Sequence, residues 1–360
     1  MQIKVPCYKD AVPICFASDD YFVPYMATMM QSIMENADSR RRFAFFVLHS
    51  RITEESQKKL GTQVACFSNF TIDFLDVGKI LTDCDFFFSN RSSNRIGITV
   101  ETYYRIVIPW LFMEYDKVIY LDGDMICLDD ISELYDVDIS EYMISSCRDI
   151  LGAYDYYLCN GDTDRYKILG IRNQDDYFIA GMIVFNNRVF RNFITLEKIL
   201  DFATSRKWNH HDQDVLNVLC EGRILYLSTA WDFSPVENAN CLPEHIRQEY
   251  LQGEKNPKII HYAASRKPWN SIFYIKYFEY FWKYATRTPF MDIIVSRMEK
   301  KFRINLITYF DLKIIDDIKN NVSLSIQFLF KCLCLRIAVK GKGIFDGIFN
   351  NHSYQNRCKN

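Results

Sequence analysis

The stretch Val118-Ile-Tyr-Leu-Asp-Gly-Asp-Met-Ile-Cys-Leu128 carries an apolar run that leads directly into two carboxylates, Asp122 and Asp124. The run Val118–Leu121 is short, rich in β-forming residues and followed by Gly123, which predicts a strand buried on both faces. Two acids at the end of such a strand have no evident role in folding. Because ligands of open α/β sheets bind at the carboxyl ends of the strands, these acids are candidates for a ligand site.

The Asp-Gly-Asp triplet has two interpretations. A glycine between the carboxylates lets the backbone bend so that both face one cation, and hard divalent cations such as Mg²⁺ or Mn²⁺ bind oxygen ligands of this kind. An acidic turn between the strand and the next element is the simpler explanation for an isolated Asp-x-Asp. The choice therefore depends on what the rest of the chain supplies.

Composition limits the class of protein. Of the 360 residues, 49% are hydrophobic and 16% aromatic, so the chain can form a large folded domain and is not disordered. Its net charge of -2 gives no general attraction to nucleic acid. The 12 cysteines lack Cys-x-x-Cys spacing, which favours a reducing compartment over a zinc or disulfide framework. With no secretory signal and no apolar stretch long enough for a membrane span, the sequence predicts a cytoplasmic protein.

Strand-like runs and helical spacings alternate along the chain. The first predicted elements are strand Ala11–Ala17, helix Tyr25–Met34, strand Arg42–His49, a helix start over Glu54–Leu60, strand Phe70–Val77 and a helical apolar face over Thr99–Phe112. A later group comprises strand Phe178–Asn186, helix Leu196–Ser205 and helix Gln213–Cys220. Strands that alternate with helices predict an α/β fold with a single mixed, mostly parallel sheet flanked by helices.

The character of the chain changes near Trp269, so we predict an α/β domain over residues 1–270 and a helical, basic and aromatic extension over residues 271–360. The stretch Lys319–Asn360 has seven basic residues against one acid, and its middle, Leu324–Val339, is strongly apolar. A basic, apolar tail can lie on an anionic membrane surface. A C-terminal helix packed on the protein body, with its lysines in water, explains the same pattern, and both interpretations stay open.

Two clusters ahead of the acidic strand could contribute to a ligand site. Phe16–Asp20 follows the first predicted strand; its small residues allow close approach, and the Asp19 carboxylate can accept a hydrogen bond from a base or a ribose hydroxyl. Arg105 lies on an otherwise apolar segment, where its guanidinium can pair with a diphosphate or with Asp122. A surface arginine that extends from a helix into water fits the same segment.

Two further clusters follow the acidic strand. His211–Asn217 places acids and amides at the head of a predicted helix, where Asp212 is also a natural N-cap with a purely structural role. Ile259–His261 is an apolar run that ends in a histidine, and the cations Arg266 and Lys267 follow it. This combination suits a metal ligand beside phosphate-binding groups.

Together, these residues could bind a nucleoside diphosphate and a divalent cation. A nucleoside diphosphate needs a divalent cation to neutralise its phosphates, and the same cation stabilises the diphosphate as it leaves. The groups able to hold that cation are Asp122, Asp124 and His261. Lys267 and Arg105 add positive charge, and Asp19 can hold the nucleoside.

Six short motifs, taken in order, resemble glycosyltransferase family 8, which includes the lipopolysaccharide glucosyl- and galactosyltransferases and glycogenin. The motifs are Phe16-Ala-Ser-Asp-Asp20, Thr102-Tyr-Tyr-Arg105, Val118-Ile-Tyr-Leu-Asp-Gly-Asp124, Phe178-Ile-Ala-Gly-Met182, Asp212-Gln-Asp-Val-Leu-Asn217 and His261-Tyr262 with Lys267-Pro-Trp269. The resemblance implies a GT-A fold and a retaining, Mn²⁺-dependent transfer of a hexose, with Mg²⁺ as the alternative cation. The donor would be UDP-glucose or UDP-galactose, and the acceptor a glycan or lipid-linked glycan such as lipopolysaccharide. The basic, apolar tail fits an acceptor held at the cytoplasmic face of the membrane.

The resemblance also implies roles for the matching positions. The metal ligands would be Asp122, Asp124 and His261. The donor-binding set would be Ala17, Ser18, Asp19, Arg105, Asp122, Gly123, Ala180, Gly181 and Lys267, with Ala17 and Asp19 at the uridine and Lys267 at the diphosphate. The catalytic set would be Arg105, Asp212 and Gln213. Because an amide is a poor nucleophile, Gln213 is assigned stabilisation of the transition state.

Three positions depart from the family pattern, and one of them is Tyr21, which stands where a short polar residue often follows the first acids. Ile179 stands where the family commonly has an asparagine that meets the donor sugar or the acceptor, so the identity of the sugar does not follow from the resemblance. Ala264 replaces a glycine often found three residues after the metal histidine. Two other functions are compatible with the motifs: a sugar-nucleotide-binding protein with lost or weak transferase activity, and a metal-dependent nucleotidyltransferase or phosphohydrolase. The latter more naturally shows a glycine-rich phosphate loop, and this chain has no such run.

Overall fold

The computed structural model describes residues 5–77, 100–158, 165–264, 267–270 and 275–302. The strands in this part of the chain are β1 (Ala11–Ala17), β2 (Arg42–His49), β3 (Phe70–Asp76), β4 (Lys117–Leu121), β5 (Met125–Cys127), β6 (Ile144–Ser146), β7 (Met182–Asn186), β8 (Ile224–Tyr226) and β9 (Ile259–His261). Seven of them form one sheet in the order β3-β2-β1-β4-β7-β6-β8, and β5 pairs with β9 in a separate two-stranded sheet.

The seven-stranded sheet is mixed and mostly parallel, which confirms the predicted fold class. Strands β3, β2, β1 and β4 run parallel to one another, as do β6 and β8. Strand β7 is antiparallel to β4 on one side and to β6 on the other. Strand β4 is buried from Val118 to Leu121, as expected for a strand covered on both faces.

Helices surround this sheet. The described α-helices are α1 (Val23–Asn36), α2 (Glu54–Val64), α3 (Ile108–Leu111), α4 (Ser132–Asp136), α5 (Ile150–Leu158), α6 (Arg165–Leu169), α7 (Asn187–Phe193), α8 (Leu196–Thr204), α9 (His211–Cys220), α10 (Glu244–Lys255) and α11 (Phe278–Ala285). Short 3₁₀ helices cover Val100–Val107, Gln174–Asp176, Thr229–Asp232 and Ala239–Cys241.

The first β-loop-α unit forms as predicted and fixes one border of the site. Helix α1 begins with Pro24 in its first turn and is buried from Val23 to Met34, as a helix with apolar residues on every side should be. In the loop before it, Asp20 accepts hydrogen bonds from the backbone and hydroxyl of Thr53, each at 2.9 Å. Since Thr53 is the N-cap of α2, the loop after β1 is tied to the start of the next helix.

Two predicted elements differ from the structure by more than a residue or two at an end. The predicted strand Phe178–Asn186 begins only at Met182, because α9 supplies the partners of the preceding backbone: the Asn217 side chain bonds both the N–H and the C=O of Phe178, and the Gln213 side chain accepts from Ala180 N. The helical face predicted over Thr99–Phe112 is a 3₁₀ helix followed by the short α3, and Thr99 itself lies outside the described residues.

The chain divides into two compact units. The first comprises residues 1–268 and 275–291, so α11 belongs to it; the second comprises residues 269–274 and 292–360. Residues 292–302 are helical, whereas Lys319–Asn360 lies outside the described residues, so the helical extension over 271–360 stays a prediction. Among the described helices, none combines the length and the apolar character required to cross a bilayer.

Candidate active site

A cavity of about 620 Å³ lies at the carboxyl end of β4, where the sequence predicts a ligand site. The predicted site residues that line it are Arg105, Asp122, Asp124, Ala180, Gly181, Asp212, Gln213 and His261. They come from five separate segments of the chain. Strand pairing brings two of these segments together. Asp122 follows β4, Gly181 precedes the antiparallel partner β7, and Asp122 N donates to Gly181 O at 2.8 Å.

Two carboxylates and one imidazole form a cluster suited to a divalent cation. Each of Asp122, Asp124 and His261 offers a ligand atom, and these atoms lie within 4.8 Å of one another. The pairing of Met125 with His261 in the β5–β9 sheet sets this distance, and Tyr262 N donates to Asp124 O at 3.0 Å. Three ligands leave positions open on an octahedral cation for phosphate oxygens or water, so the donor set fits Mn²⁺ or Mg²⁺.

The two carboxylates are held differently. Tyr120 Oη donates to Asp122 Oδ1 at 2.8 Å, and Arg105 Nη2 lies 2.9 Å from the same oxygen. Both of these contacts are made by Oδ1, so Oδ2 can face a cation. Asp124 contacts His261 Nε2 at 3.3 Å through Oδ1 and Lys267 Nζ through Oδ2. Burial acts to raise the pKa of Asp124, but Lys267 and His261 outweigh it and hold that pKa well below its usual range.

Arg105 is a buried cation that joins two acids. Its side chain is 6% exposed, it stacks 4.4 Å from the centre of the Tyr120 ring, and it donates to Ala180 O. Burial acts to lower the pKa of Arg105, but Asp122 and Asp212 outweigh it and raise that pKa, so the guanidinium stays charged. The interpretation of Arg105 as a surface arginine is therefore wrong, and its pairing with Asp122 is present in the structure.

Asp212 is buried beside this guanidinium rather than capping its helix. Arg105 Nε lies 2.8 Å from Asp212 Oδ2 but donates its hydrogen to Thr102 O, so the contact is a charge pairing without an aligned hydrogen bond. Burial raises the pKa of Asp212 to about 7, since Arg105 is shared with Asp122 and compensates it only in part. The start of α9 is instead held by Asp214, which accepts from His210 N at 2.7 Å.

The Gln213 amide is fixed at both of its ends. Its Oε1 accepts from Ala180 N at 2.9 Å, and its Nε2 donates to Asp149 Oδ2 at 3.1 Å. Asp149, which also lines the cavity and accepts from Gly152 N at 2.8 Å, was missed by sequence reasoning. It follows the three-residue strand β6, too short to show a periodic pattern; an acid just beyond a strand end was the only available signal.

A second acid missed by sequence reasoning lies behind the histidine. Asp232 Oδ1 is 2.7 Å from His261 Nδ1, and the Asp232 side chain is fully buried. The Thr229–Asp232 turn that carries it has no motif that marks a site. Burial acts to lower the pKa of the His261 imidazole, but Asp232 and Asp124 outweigh it and raise that pKa to about 10.

The two glycines of the site are required for close packing. A Cβ atom on Gly181 would lie 2.4 Å from His261 Cε1, so only glycine fits against the ring. A Cβ on Gly123 would lie 3.0 Å from Met26 Cβ and 3.2 Å from Met26 Cα. Gly123 does not adopt a positive φ, so the structure does not use the special backbone freedom of glycine there. The glycine is needed instead because it packs closely against α1.

Several predicted donor-binding residues lie beside the cavity rather than in its lining. Those absent from the described lining are Ala17, Ser18, Asp19, Gly123 and Lys267. Ala17 ends β1, whose parallel register with β4 sets it at the same sheet edge as Asp122. Asp19 Oδ1 accepts from Phe22 N at 2.7 Å at the start of α1, and Lys267 donates to Tyr262 O as well as to Asp124. Their roles toward a donor stay predictions, and Arg266 lies outside the described residues.

Two of the departures from the family pattern, Ile179 and Ala264, have structural counterparts. Ile179 is buried and lines the cavity next to Ala180 and Gly181, so an apolar side chain stands in the wall where a sugar would lie. Ala264 has φ 60°, in the left-handed region that glycine adopts readily and residues with a Cβ adopt rarely. A glycine at this position would relieve backbone strain, which accounts for the family preference.

Comparisons with known proteins agree with this geometry. The model of "Glycosyl transferase family 8" matches residues 13–273. General stress protein A of Bacillus subtilis is 26% identical over 289 residues, which cover 78% of this chain and 95% of that protein. The lipopolysaccharide 1,3-galactosyltransferase of Salmonella typhimurium is 23% identical over 286 residues, 78% of this chain and 79% of that enzyme.

A solved structure extends the likeness to the fold. The bifunctional glycosyltransferase WbbM, in its apo form, superposes with a TM-score of 0.71 at 25% identity and covers 81% of this chain. This chain spans 52% of the WbbM chain, so the likeness concerns about half of that protein. The mixed sheet, with β7 antiparallel beside the acidic strand, is the GT-A fold that the motifs implied. With its family model matched over most of its length, this chain belongs to glycosyltransferase family 8.

Proposed function

We propose that this glycosyltransferase moves a hexose, glucose or galactose, from a UDP-sugar to a glycan acceptor, with Mn²⁺ as its cation and with retention of configuration. The observation that carries the proposal is the cluster of Asp122, Asp124 and His261 within 4.8 Å, on the wall of a cavity that also holds Asp212 and Gln213. A divalent cation bound by this cluster would neutralise the diphosphate and stabilise it as it leaves.

The protein's own groups would hold the donor sugar. Arg105 keeps Asp122 and Asp212 in place from inside the wall, so it serves the site by orienting two acids as well as by its charge. A carboxyl group with a pKa of about 7 can accept or donate a hydrogen bond, which suits Asp212 to sugar hydroxyls. The Gln213 amide, locked by Ala180 and Asp149, presents a fixed dipole to the positive charge that develops at the anomeric carbon.

The remaining wall of the cavity suits an acceptor sugar. Leu151, Tyr156 and Tyr166 line it, and the two tyrosine rings meet edge to face with centroids 5.3 Å apart. Ring faces and apolar side chains contact the C–H surface of a sugar, while Asp155 in the same wall can bind its hydroxyls. The Salmonella relative acts on lipopolysaccharide by name, so we propose lipopolysaccharide or another surface polysaccharide as the acceptor class.

Release of UDP tests the donor and the cation. We expect that at least one UDP-hexose is slowly hydrolysed in the presence of Mn²⁺, that chelation stops this turnover, and that Asp124→Ala abolishes it while the circular dichroism spectrum is unchanged. Asp136→Ala, which removes an exposed aspartate paired with Arg41, serves as the matched control and should keep full turnover. Turnover that is independent of metal, or full activity of Asp124→Ala, would contradict the proposal.

The same panel separates the other functions. UDP-sugar binding without UDP release, measured by calorimetry, would identify a binding protein with lost activity, for which the apolar Ile179 in the cavity wall is the relevant observation. Release of pyrophosphate or inorganic phosphate instead of UDP would identify a nucleotidyltransferase or phosphohydrolase. Analysis of the product anomer by NMR tests retention, because an inverting enzyme would give the opposite anomer.

A further inference from the structure

Asp232 contacts the candidate metal ligand His261, which in turn contacts the candidate metal ligand Asp124. Its Oδ1 lies 2.7 Å from His261 Nδ1, and on the other side of the ring His261 Nε2 lies 3.3 Å from Asp124 Oδ1. We propose that Asp232 is a positioning residue of the metal site: it keeps a proton on Nδ1 and fixes the ring so that Nε2 presents its lone pair to the cation. The inference rests on the metal site of the proposed function.

Backbone pairing makes this contact rigid. His261 N donates to Phe233 O, and Phe233 N donates to Ile259 O, each at 2.9 Å, so the segment that carries Asp232 is hydrogen-bonded to the strand that carries His261. These bonds fix the separation of the two backbone segments, and burial of both side chains restricts the torsions that could part the carboxylate from the imidazole. The ring orientation is therefore determined before any cation binds.

Gly181 packs closely against the His261 ring, next to the Asp232 carboxylate. The position of a Cβ on Gly181 is 2.4 Å from His261 Cε1, 2.7 Å from His261 Nδ1 and 3.0 Å from Asp232 Oδ2. The imidazole is thus held by a carboxylate that binds its Nδ1 and by backbone packed against its Cε1. Both constraints act on the same ring, which is what presenting one nitrogen to a cation requires.

The chemistry of Asp232 also favours a cation beyond the ring. The side chain is fully buried, and its Oδ2 has no hydrogen-bond partner among the described residues. A buried carboxylate with one unsatisfied oxygen is costly unless positive charge lies nearby. The protonated His261 ring supplies that charge without metal, and a cation held by His261, Asp122 and Asp124 would supply it in place of the proton on Nε2.

Titration with Mn²⁺ measures this role without relying on turnover. Free Mn²⁺ is followed by electron paramagnetic resonance as protein is added, once alone and once with saturating UDP. We expect Asp232→Ala to weaken Mn²⁺ binding by about 10- to 100-fold, and Asp232→Asn, which keeps an oxygen acceptor for Nδ1, to lose less. The matched control is Asp175→Asn, which removes a carboxylate from the exposed His245, 2.8 Å away, and should leave Mn²⁺ affinity unchanged.

A double-mutant cycle shows whether Asp232 acts through the ring. In a His261→Ala background, Asp232→Asn should cause no further loss of Mn²⁺ affinity, because the residue that it positions is gone. Equal Mn²⁺ affinity of the wild type and folded Asp232 variants, or additive losses in the cycle, would overturn the inference and leave the proposed function intact. A wild type that binds no Mn²⁺ with or without UDP would overturn both. Circular dichroism verifies folding, and Asp232→Asn covers the case in which the alanine variant does not fold.

Discussion

Gly181 lies so close to His261 that a Cβ on the glycine would fall 2.4 Å from the imidazole Cε1. The two residues belong to different segments, one just before β7 and the other at the end of β9, and they meet only because both segments adjoin the acidic strand. The glycine thus sets the space available to a candidate metal ligand, although the sequence marks it only as part of a motif.

Gly181→Ala should displace the imidazole, because the added methyl group overlaps the ring. We expect Mn²⁺ affinity and UDP release to fall, the latter by on the order of 10²-fold, since a shift of about 1 Å in an active site costs that much. The control is Gly61→Ala, where a Cβ in helix α2 meets nothing within 4 Å and should stabilise the helix by about 0.5–1 kcal/mol. Unchanged Mn²⁺ binding in folded Gly181→Ala would contradict the geometry.

Arg105→Met tests the charge that joins Asp122 to Asp212. The substitution keeps the buried volume but leaves two acids without their cation, so we expect the free energy of unfolding in urea to fall by about 3–5 kcal/mol. Adding Asp212→Asn should recover part of this loss, because one uncompensated carboxylate is removed. Arg40→Met, at an ion pair whose arginine is 87% exposed, should leave the free energy of unfolding nearly unchanged. Additive losses in the double variant would argue against the pairing.

The buried carboxyl of Asp212 should make stability depend on pH in the sense opposite to most aspartates. Its folded-state pKa of about 7 lies above the usual value of 3.8, so between these pH values the folded protein binds more protons than the unfolded chain. The free energy of unfolding therefore falls as pH rises, by at most about 1.4 kcal/mol per pH unit from this group. In Asp212→Asn that slope should be missing. Urea titrations at several pH values measure the difference between the variant and the wild type, and parallel curves would contradict the assignment.

Ala264→Gly should be tolerated or stabilising. Alanine in the left-handed region costs roughly 1–2 kcal/mol, and glycine removes that cost but loses about 0.5–1 kcal/mol of conformational entropy on folding. We expect a net change in the free energy of unfolding of about 0 to +1 kcal/mol, read from the thermal midpoint. A loss of more than about 1 kcal/mol would show that the side chain of Ala264 makes contacts that outweigh the strain.

The basic, apolar tail can be tested apart from the active site. Truncation after Asp317 should weaken sedimentation with liposomes that contain anionic lipid, because it removes seven basic residues and the apolar segment Leu324–Val339. Liposomes of neutral lipid serve as the control, and sedimentation with them should be low for both proteins. Unchanged sedimentation with anionic liposomes would favour the other interpretation, in which the tail is a helix packed on the protein body.

Strand assignments from the sequence were right where residues alternate or run apolar over long stretches, and wrong where distant side chains take the backbone partners. Ala11–Ala17 and Arg42–His49 have the predicted bounds because their β-forming character is local. Phe178 does not join β7, because Asn217, 39 residues away, bonds its backbone. Nothing near Phe178 in the chain indicates this.

Within the site, the sequence by itself determined the residue types able to hold a cation, since Asp122, Asp124 and His261 stand in motifs that can be recognised when they are taken together in order. Only the tertiary structure decided what orients them. Asp232 and Asp149 act on His261 and Gln213 across 29 and 64 residues of chain. The reason is physical: ligand chemistry belongs to a side chain and its immediate neighbours, whereas orientation comes from hydrogen bonds and close packing between segments that meet only in the folded protein.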